Sequence, residues 1–303
     1  MIDFMPLDPS YKDRYNAQLR CSGERGCEYS FTNLYLWGRQ RAAEVAGNLV
    51  IFSQFSRKSV YLFPVGCAEK KATLDAIIAD ARERGIPCRL NGLTQDDYAT
   101  LERLYPGRFT SHFDRDAFDY VYAIEDLAEL RGRKYQRKRN HLNRFRAERP
   151  NHKLEPITEE NISLVEELVE QWYARRLEEN PHGDYHMEQV AIKKALRERE
   201  LLGLEGLLLR DGDALLAMTM GSRLSQTTFD IHFEKALDIA DGTYAAINQG
   251  FAAYLREKYP EILWLNREED MGLEGLRKAK LSYNPHHMIE KSWALLQEEG
   301  YDY

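Results

Sequence analysis

The sequence predicts an α+β fold: mixed sheets flanked by helices, arranged as two domains of similar build. Three observations carry this expectation. The 303 residues suit two domains of about 100–200 residues each. Both halves mix helical and strand periodicities, without the strict alternation of a parallel α/β chain. A strongly basic stretch, Leu130 to Arg149, ends at Pro150 and offers a boundary, so the domains are expected at 1–150 and 151–303.

In the first half, Ser10 is placed to cap a short helix running to about Leu19, and Gly23 and Gly26 then break the chain. Tyr29 to Trp37 is rich in aromatics and reads as core, because one sequence cannot show rings converging on a ligand. Val45 and Leu49–Phe52 around Gly47-Asn48 predict a hairpin, and Ser59–Phe63 another strand. Leu74, Ile77, Ile78 and Ala81 have helical spacing, ended by Gly85 and Pro87. Thr94–Leu104 is a second helix, and Phe118–Ile124 alternates as a half-buried strand does. No catalytic signature appears in this half.

In the second half, Thr158 is read as the cap of a helix whose Ile162, Val165, Leu168, Val169 and Trp172 share a face. Another helix follows from about Met187 to Leu201. Leu207–Leu209 and Ala214–Met220 form a hairpin turning at Asp211-Gly212, and Thr227–Phe233 adds a strand. Gly242-Thr243 opens a helix with Tyr244, Ile247, Phe251 and Leu255 inward; Pro260 stops it before the buried strand Ile262–Leu265. This order suits an acyltransferase of the GNAT type, where the acyl donor lies in a splayed sheet, but other α+β folds share it.

Charge narrows the reading. Leu130–Arg149 holds nine Lys or Arg and one acid, a net +8 in a chain of net charge -7, so the rest of the chain carries -15. As a helix it places Tyr135, Leu142 and Phe145 on one side, with Arg139 beside that stripe. It is either a solvated bridge within an acidic protein or an anion-binding element that holds phosphates through Arg forks and Lys charges. No apolar run reaches the ~20 residues that span a bilayer, and Met1–Pro9 lacks a signal pattern, so a cytoplasmic location is expected. Cys21, Cys27, Cys67 and Cys88 lack metal-ligand spacing and read as incidental thiols of a reduced protein. No metal is expected; His286-His287 is too sparse to argue for one.

Two motifs sharpen the expectation. Leu130-x-Gly132-Arg133-Lys134 with Arg139-Asn140-x-Leu142-Asn143-Arg144, and Gly275-Leu276-Arg277-Lys278-Ala279-Lys280-x-x-Tyr283-Asn284-Pro285, resemble motifs of the cytosolic C-terminal domain of phosphatidylglycerol lysyltransferases. The resemblance spans almost the whole chain, with the matching residues in two windows. It implies a tandem GNAT-like fold and transfer of an aminoacyl group from charged tRNA, with no further cofactor. The acceptor stays open between a lipid, touched by peripheral membrane contact, and a small molecule or peptide, because the chain has no membrane-embedded segment.

Such a reaction is direct attack by an amine or hydroxyl on an activated carbonyl. It needs a donor for the developing oxyanion, a group that takes a proton, and cations near the donor's phosphates. Asn266-Arg267-Glu268-Glu269-Asp270 follows a buried strand, and Arg277 and Lys280 lie three apart on a short helix. Lys280, Arg277, Asp270 and Glu268 are therefore the catalytic candidates; the bland alternatives are a charged turn and a surface patch. Arg267, Tyr283, Asp230 and Glu234 are the candidates for substrate binding. Asp230, His232 and Glu234 share one strand face, either as a proton shuttle or as a satisfied network. Arg133, Lys134, Lys138, Arg139 and Asn143 are the candidates for tRNA or anion binding, and the N-terminus of the helix after Gly242 is a place for an anion. An acyl-CoA-dependent transferase is the alternative, although Met220-Gly221-Ser222-Arg223 does not supply the glycine-rich pyrophosphate turn; a non-catalytic RNA- or anion-binding protein is the third reading.

Overall fold

Glycine and short polar residues set the local boundaries of the first unit. The computed structural model describes residues 1–38, 40–55, 58–183, 185–237 and 242–297. The first compact unit contains Met1–Asp119, Glu269–Leu273 and Met288–Tyr303. Its elements are β1 (Met5–Pro6), α1 (Lys12–Leu19), α2 (Phe31–Leu36), β2 (Gln40–Val45), β3 (Asn48–Phe55), β4 (Lys58–Leu62), α3 (Lys70–Arg84), β5 (Arg89–Leu93), α4 (Gln95–Leu104) and β6 (Phe109–Phe113). The β2–β3 turn is Ala46-Gly47, one residue earlier than expected, and both residues have positive φ (49° and 78°). That is the backbone twist a two-residue hairpin favours. Asp8, not Ser10, caps the first helical turn, accepting from Ser10 N at 2.9 Å. Thr94 and Asp97 form a reciprocal capping box on α4, and left-handed Gly85 ends α3 as its sequence requires.

The sheet of this unit runs β1-β2-β3-β4-β5, then the C-terminal strand Ser292–Leu296, then β6. β4 and β5 are parallel, joined by α3, whose Leu74, Ile77, Ile78 and Ala81 pack into a core with Val50, Phe52, Tyr61 and Leu90. The C-terminal strand, not among the elements that the sequence predicts, is antiparallel to both neighbours. Its Ala294, Leu295 and Leu296 are buried consecutively, so it lacks the alternation that marks a one-sided strand. Cys21 and Cys67 form a disulfide with Cα atoms 5.0 Å apart. This corrects the reading of four incidental thiols: 46 residues separate the pair, so spacing gave no sign of it. Cys27 and Cys88 are free and buried.

The second unit contains Tyr120–Glu268 and Glu274–His287. Its elements are β7 (Asp119–Ala123), α5 (Ile124–Glu129), α6 (Gln136–Glu148), β8 (His152–Pro156), α7 (Ile162–Glu179), α8 (His186–Arg197), α9 (Arg199–Leu202), β9 (Glu205–Asp211), β10 (Ala214–Arg223), β11 (Thr228–Ala236), α10 (Thr243–Lys258), β12 (Trp264–Asn266) and α11 (Glu274–Leu281). The sheet order is β7-β12-β11-β10-β9-β8, with the short strand His287–Ile289 next to β7. From β7 to β8 the neighbouring pairs are antiparallel except β11 and β12, which run parallel from Thr228↔Trp264 to Asp230↔Asn266. Each unit thus carries an antiparallel meander followed by a parallel pair with a helical crossover, β4–α3–β5 in one and β11–α10–β12 in the other. Both sheets are mixed and flanked by helices, the α+β class expected.

The division of the chain differs from the expected one. Residue 150 lies inside the second unit, between α6 and β8. The basic helix α6 belongs to that unit because its apolar stripe is used there: Tyr135, Leu142 and Phe145 are buried, and α6 packs on α10. Gly242, with φ 111°, lies so close to α6 that a Cβ would press on the carbonyl of His141 and on Phe145. The β9–β10 turn is Gly212-Asp213, one residue later than expected, since Asp211 pairs with Ala214. Asn161 replaces Thr158 at the N-cap of α7.

β10 steps out of register between Met220 and Gly221, which pair with Phe233 and Ile231 of β11 and leave His232 unmatched between them. A Cβ at Gly221 would press on the carbonyl oxygen of Asp230, backbone that cannot yield as a side-chain end would. Gly221→Ala is expected to destabilise the protein by about 1–3 kcal/mol, read as a lower urea midpoint at unchanged m-value; an unchanged midpoint would show that the two strands separate freely here.

Candidate functional site

In open sheets, ligands bind beyond the carboxyl ends of parallel strands. In the second unit that place lies past Asp230 and Asn266, where β11 continues to Ala236 while β12 stops. Two residues of one β11 face project there, His232 and Glu234, and each meets a residue of the loop after β12. Glu234 Oε1 accepts from Arg267 Nη2 at 2.9 Å. His232 Nδ1 lies 3.3 Å from Glu268 Oε1 and 3.5 Å from Asp230 Oδ2, while Nε2 lies 2.8 Å from Ser222 Oγ. The His232 and Asp230 side chains are fully buried, and Glu268 is 25% exposed. The chain Ser222–His232–Glu268 therefore reaches solvent through one carboxylate. Asp230, His232 and Glu268 are also close enough to ligate a single metal ion.

The loop that carries Arg267 and Glu268 is fixed from below. Lys280 on α11 donates its ammonium to the carbonyls of Arg267 and Glu268 at 2.5 and 3.1 Å. Asn266 Oδ1 accepts from Glu268 N at 2.7 Å, and Tyr120 N donates to Glu268 O at 3.3 Å. These bonds hold Glu268 at φ 57°, a left-handed conformation uncommon for a non-glycine residue.

A rim of rings and cations completes the site. Tyr283 is buried, with the Lys138 ammonium 3.7 Å from its ring centroid and the Arg267 guanidinium 5.0 Å away. Burial pushes the Tyr283 hydroxyl up to about 12, against the opposing pull of Arg267 and with a smaller push from Glu234. Burial also brings Lys138 down to about 8, helped by the cations Arg267 and Arg137 and opposed by Glu234. Burial disfavours the charge on Arg267, but Glu234 and the surrounding tyrosine hydroxyls outweigh it and hold the guanidinium protonated.

The sequence candidates separate into groups. Arg267, Glu268, Tyr283, Glu234, Asp230, Lys138 and Lys280 all belong to this unit and take part in the contacts above. Lys280 does so as a backbone clamp: with its ammonium committed to two carbonyls and the residue 7% exposed, it holds the loop and is not placed as a free phosphate clamp. Arg277, three residues before it, is only half-buried. Asp270 belongs to the first unit, where it accepts from Gly272 N at 2.9 Å and faces Arg115 at 3.4 Å; it shapes a turn. Of the basic-helix candidates, Arg139 donates to the carbonyls of Leu130 and Gly132 and to Gln136, and Lys134 pairs with Asp126 at 2.8 Å. Arg133 and Asn143 are exposed. Tyr244, expected inward, is 38% exposed.

The first unit carries a separate charge cluster that sequence spacing did not reveal. Lys291 Nζ lies 2.7 Å from Asp119, 2.9 Å from Glu28 and 3.3 Å from Glu269, with Cys27 Sγ at 3.7 Å. Burial opposes its charge, yet Asp119, Cys27, Glu28 and Glu269 together raise it well above the usual lysine value. Cys27, Asp119 and Glu269 have metal-ligand proximity, but the ammonium already serves these donors as their cation.

Residues 20–295 match the family model described as phosphatidylglycerol lysyltransferase, C-terminal. A conserved protein of unknown function from Bacteroides thetaiotaomicron is 37% identical, with a TM-score of 0.92, over 98% of this chain and 100% of that one. L-PGS from Bacillus licheniformis is 14% identical at TM-score 0.68, covering 97% of this chain and 93% of that one. A tandem GNAT protein from the clavulanic acid biosynthesis pathway, 8% identical at TM-score 0.53, covers all of both chains and shares the fold. No curated protein matches.

Two expectations follow from this geometry. Lys280→Met should lower stability by on the order of 2 kcal/mol, because hydrogen bonds to a charged group contribute about 1.5–3 kcal/mol; a normal thermal melt would show that the carbonyls do not depend on it. The Lys138 amine, followed by carbon NMR after reductive methylation and assigned with Lys138→Arg, should titrate near pH 8. Glu234→Gln should lower that midpoint and Arg267→Met raise it, since the one supports the charge and the other opposes it; shifts of the opposite sign would remove Lys138 from this cluster.

Proposed function

This chain belongs to the phosphatidylglycerol lysyltransferase C-terminal family, an acyltransferase family on a GNAT-like fold, and from that premise we propose that it transfers an aminoacyl group from aminoacyl-tRNA to an amine or hydroxyl acceptor. One observation carries the reading. Beyond the carboxyl ends of the parallel pair β11 and β12, the second unit puts a guanidinium with an unpartnered N–H, Arg267 Nη1, beside a carboxylate that reaches solvent, Glu268.

The chemistry follows from those two groups. The acceptor attacks the ester carbonyl, and the negative charge growing on its oxygen is met by Arg267 Nη1, a donor already oriented because Glu234 fixes the other arm of the fork. Glu268 takes the proton that the attacking atom releases, with His232 and Ser222 holding its carboxylate in place. The ester bond breaks and the ribose oxygen leaves with that proton, handed on by Glu268. No enzyme nucleophile is needed. Exposed Arg133, Arg137 and Arg144 extend along α6, a basic surface for the tRNA backbone, whereas Arg139 and Lys134 serve the helix itself. The acceptor is a lipid met at a membrane surface or a small molecule or peptide.

Single-turnover transfer from a radiolabelled aminoacyl-tRNA pool and from acyl-CoA, each with vesicle and amine acceptors, tests the reading. Transfer is expected from aminoacyl-tRNA, with Arg267→Gln slower by roughly 10²–10³ when assayed well below a melting temperature that loss of the buried pair with Glu234 lowers. Affinity for tRNA should fall steeply between ~50 and 200 mM salt, less so when Arg133, Arg137 and Arg144 are neutralised. Transfer from acyl-CoA alone would overturn the proposal.

A further inference from the structure

Glu234 grips two side chains by one end each and leaves the other end of both without a partner. Arg267 Nη2 donates to its Oε1 at 2.9 Å, and Asn248 Nδ2 donates to its Oε2 at a long 3.5 Å. A carboxylate only accepts, so the NH2 of Asn248 must face Glu234 and its carbonyl oxygen must face away. Asn248 is 6% exposed. Its Oδ1 and Arg267 Nη1 are both shut off from solvent without a hydrogen bond in the protein. Orphaned buried polar atoms are few in folded proteins, and an acceptor and a donor orphaned around one carboxylate ask for a shared explanation.

Placement supplies it. Glu234 lies on β11, Asn248 on α10 and Arg267 directly after β12, so the three elements of the parallel crossover each contribute one group. A ligand complementary to the pair offers an N–H to Asn248 and a carbonyl oxygen to Arg267. An α-amino ester offers both, its amine carried on the carbon next to the acyl carbon. A plain acyl ester or thioester presents the carbonyl oxygen and nothing for Asn248.

Resting on the aminoacyl-transfer reading, we infer that Asn248 accepts a hydrogen bond from the α-amino group of the donor while Arg267 Nη1 meets its carbonyl oxygen. The site then selects aminoacyl over plain acyl groups through atoms common to all amino acids, without reading the side chain. A site built to bond a polar group discriminates strongly against the analogue that lacks it, because its own buried atoms go unmet.

The test is single-turnover transfer by the full chain from one accepted aminoacyl-tRNA and from the same tRNA bearing the des-amino acyl group. The wild type should prefer the α-amino donor by about 10²-fold or more. Asn248→Ala should slow the α-amino donor to nearly the des-amino rate and leave the latter within a few-fold. Asn248→Ser, which keeps an acceptor oxygen, should restore part of the preference, so a general folding defect would show in the des-amino rate of both variants. Equal use of the two donors by the wild type, or equal slowing of both by Asn248→Ala, overturns the inference and leaves aminoacyl transfer standing. Transfer from neither donor overturns both.

Discussion

A buried ammonium with two backbone carbonyls for partners organises the second unit. Lys280 takes the carbonyls of Arg267 and Glu268, the two residues that follow the end of β12. A lysine out of water is stable only when its donors are met. Here, meeting them fixes two successive residues whose side chains go to different neighbours on β11. Release the loop, and Glu268 has no reason to keep its left-handed backbone, Arg267 loses its approach to Glu234, and the carboxyl ends of the parallel pair carry no ordered chemistry. The helix that bears the family-like Gly-Leu-Arg motif matters, on this account, less for charge offered to a ligand than for charge used on the chain itself.

The two units solve the problem of buried charge in different ways. In the first, one ammonium, Lys291, gathers three carboxylates and a thiol, and the cluster is closed around it. In the second, the cations are arms and rims: Arg267 is pinned on one side only, and Lys138 lies over a ring with its charge weakened by burial. A closed cluster suits stability; a half-satisfied guanidinium suits a ligand that completes it.

Much of this was legible from residue order. The α+β class, the β2–β3 and β9–β10 hairpins, α3 with its terminal glycine, and the buried face of α6 all follow from periodicity and turn chemistry. So does the shared face of Asp230, His232 and Glu234. Asn248 carried a signal that went unread: it follows Tyr244 by four residues and precedes Phe251 by three, a polar residue on an apolar stripe. Lys138, four before Leu142, is the same kind of case. Other features had no local sign. Ser222 meets His232 only because β10 shifts register at Gly221, and Cys27, Asp119, Glu269 and Lys291 are spread over most of the chain. The C-terminal strand hid because burial on both faces erases alternation, and the domain boundary misled because a basic, proline-ended stretch is also what a helix with one buried side looks like.

The central claim is that the acyl group is held at the carboxyl ends of β11 and β12, with its carbonyl oxygen on Arg267. A crystal structure with a non-hydrolysable 3′-aminoacylamido-adenosine, the stable counterpart of the charged tRNA end, tests it most directly. The account requires the amide oxygen within hydrogen-bond distance of Arg267 Nη1, with Lys280 still on the two carbonyls. An analogue bound with its acyl carbonyl away from Arg267, or a loop that stays ordered in the same complex without Lys280, would contradict it.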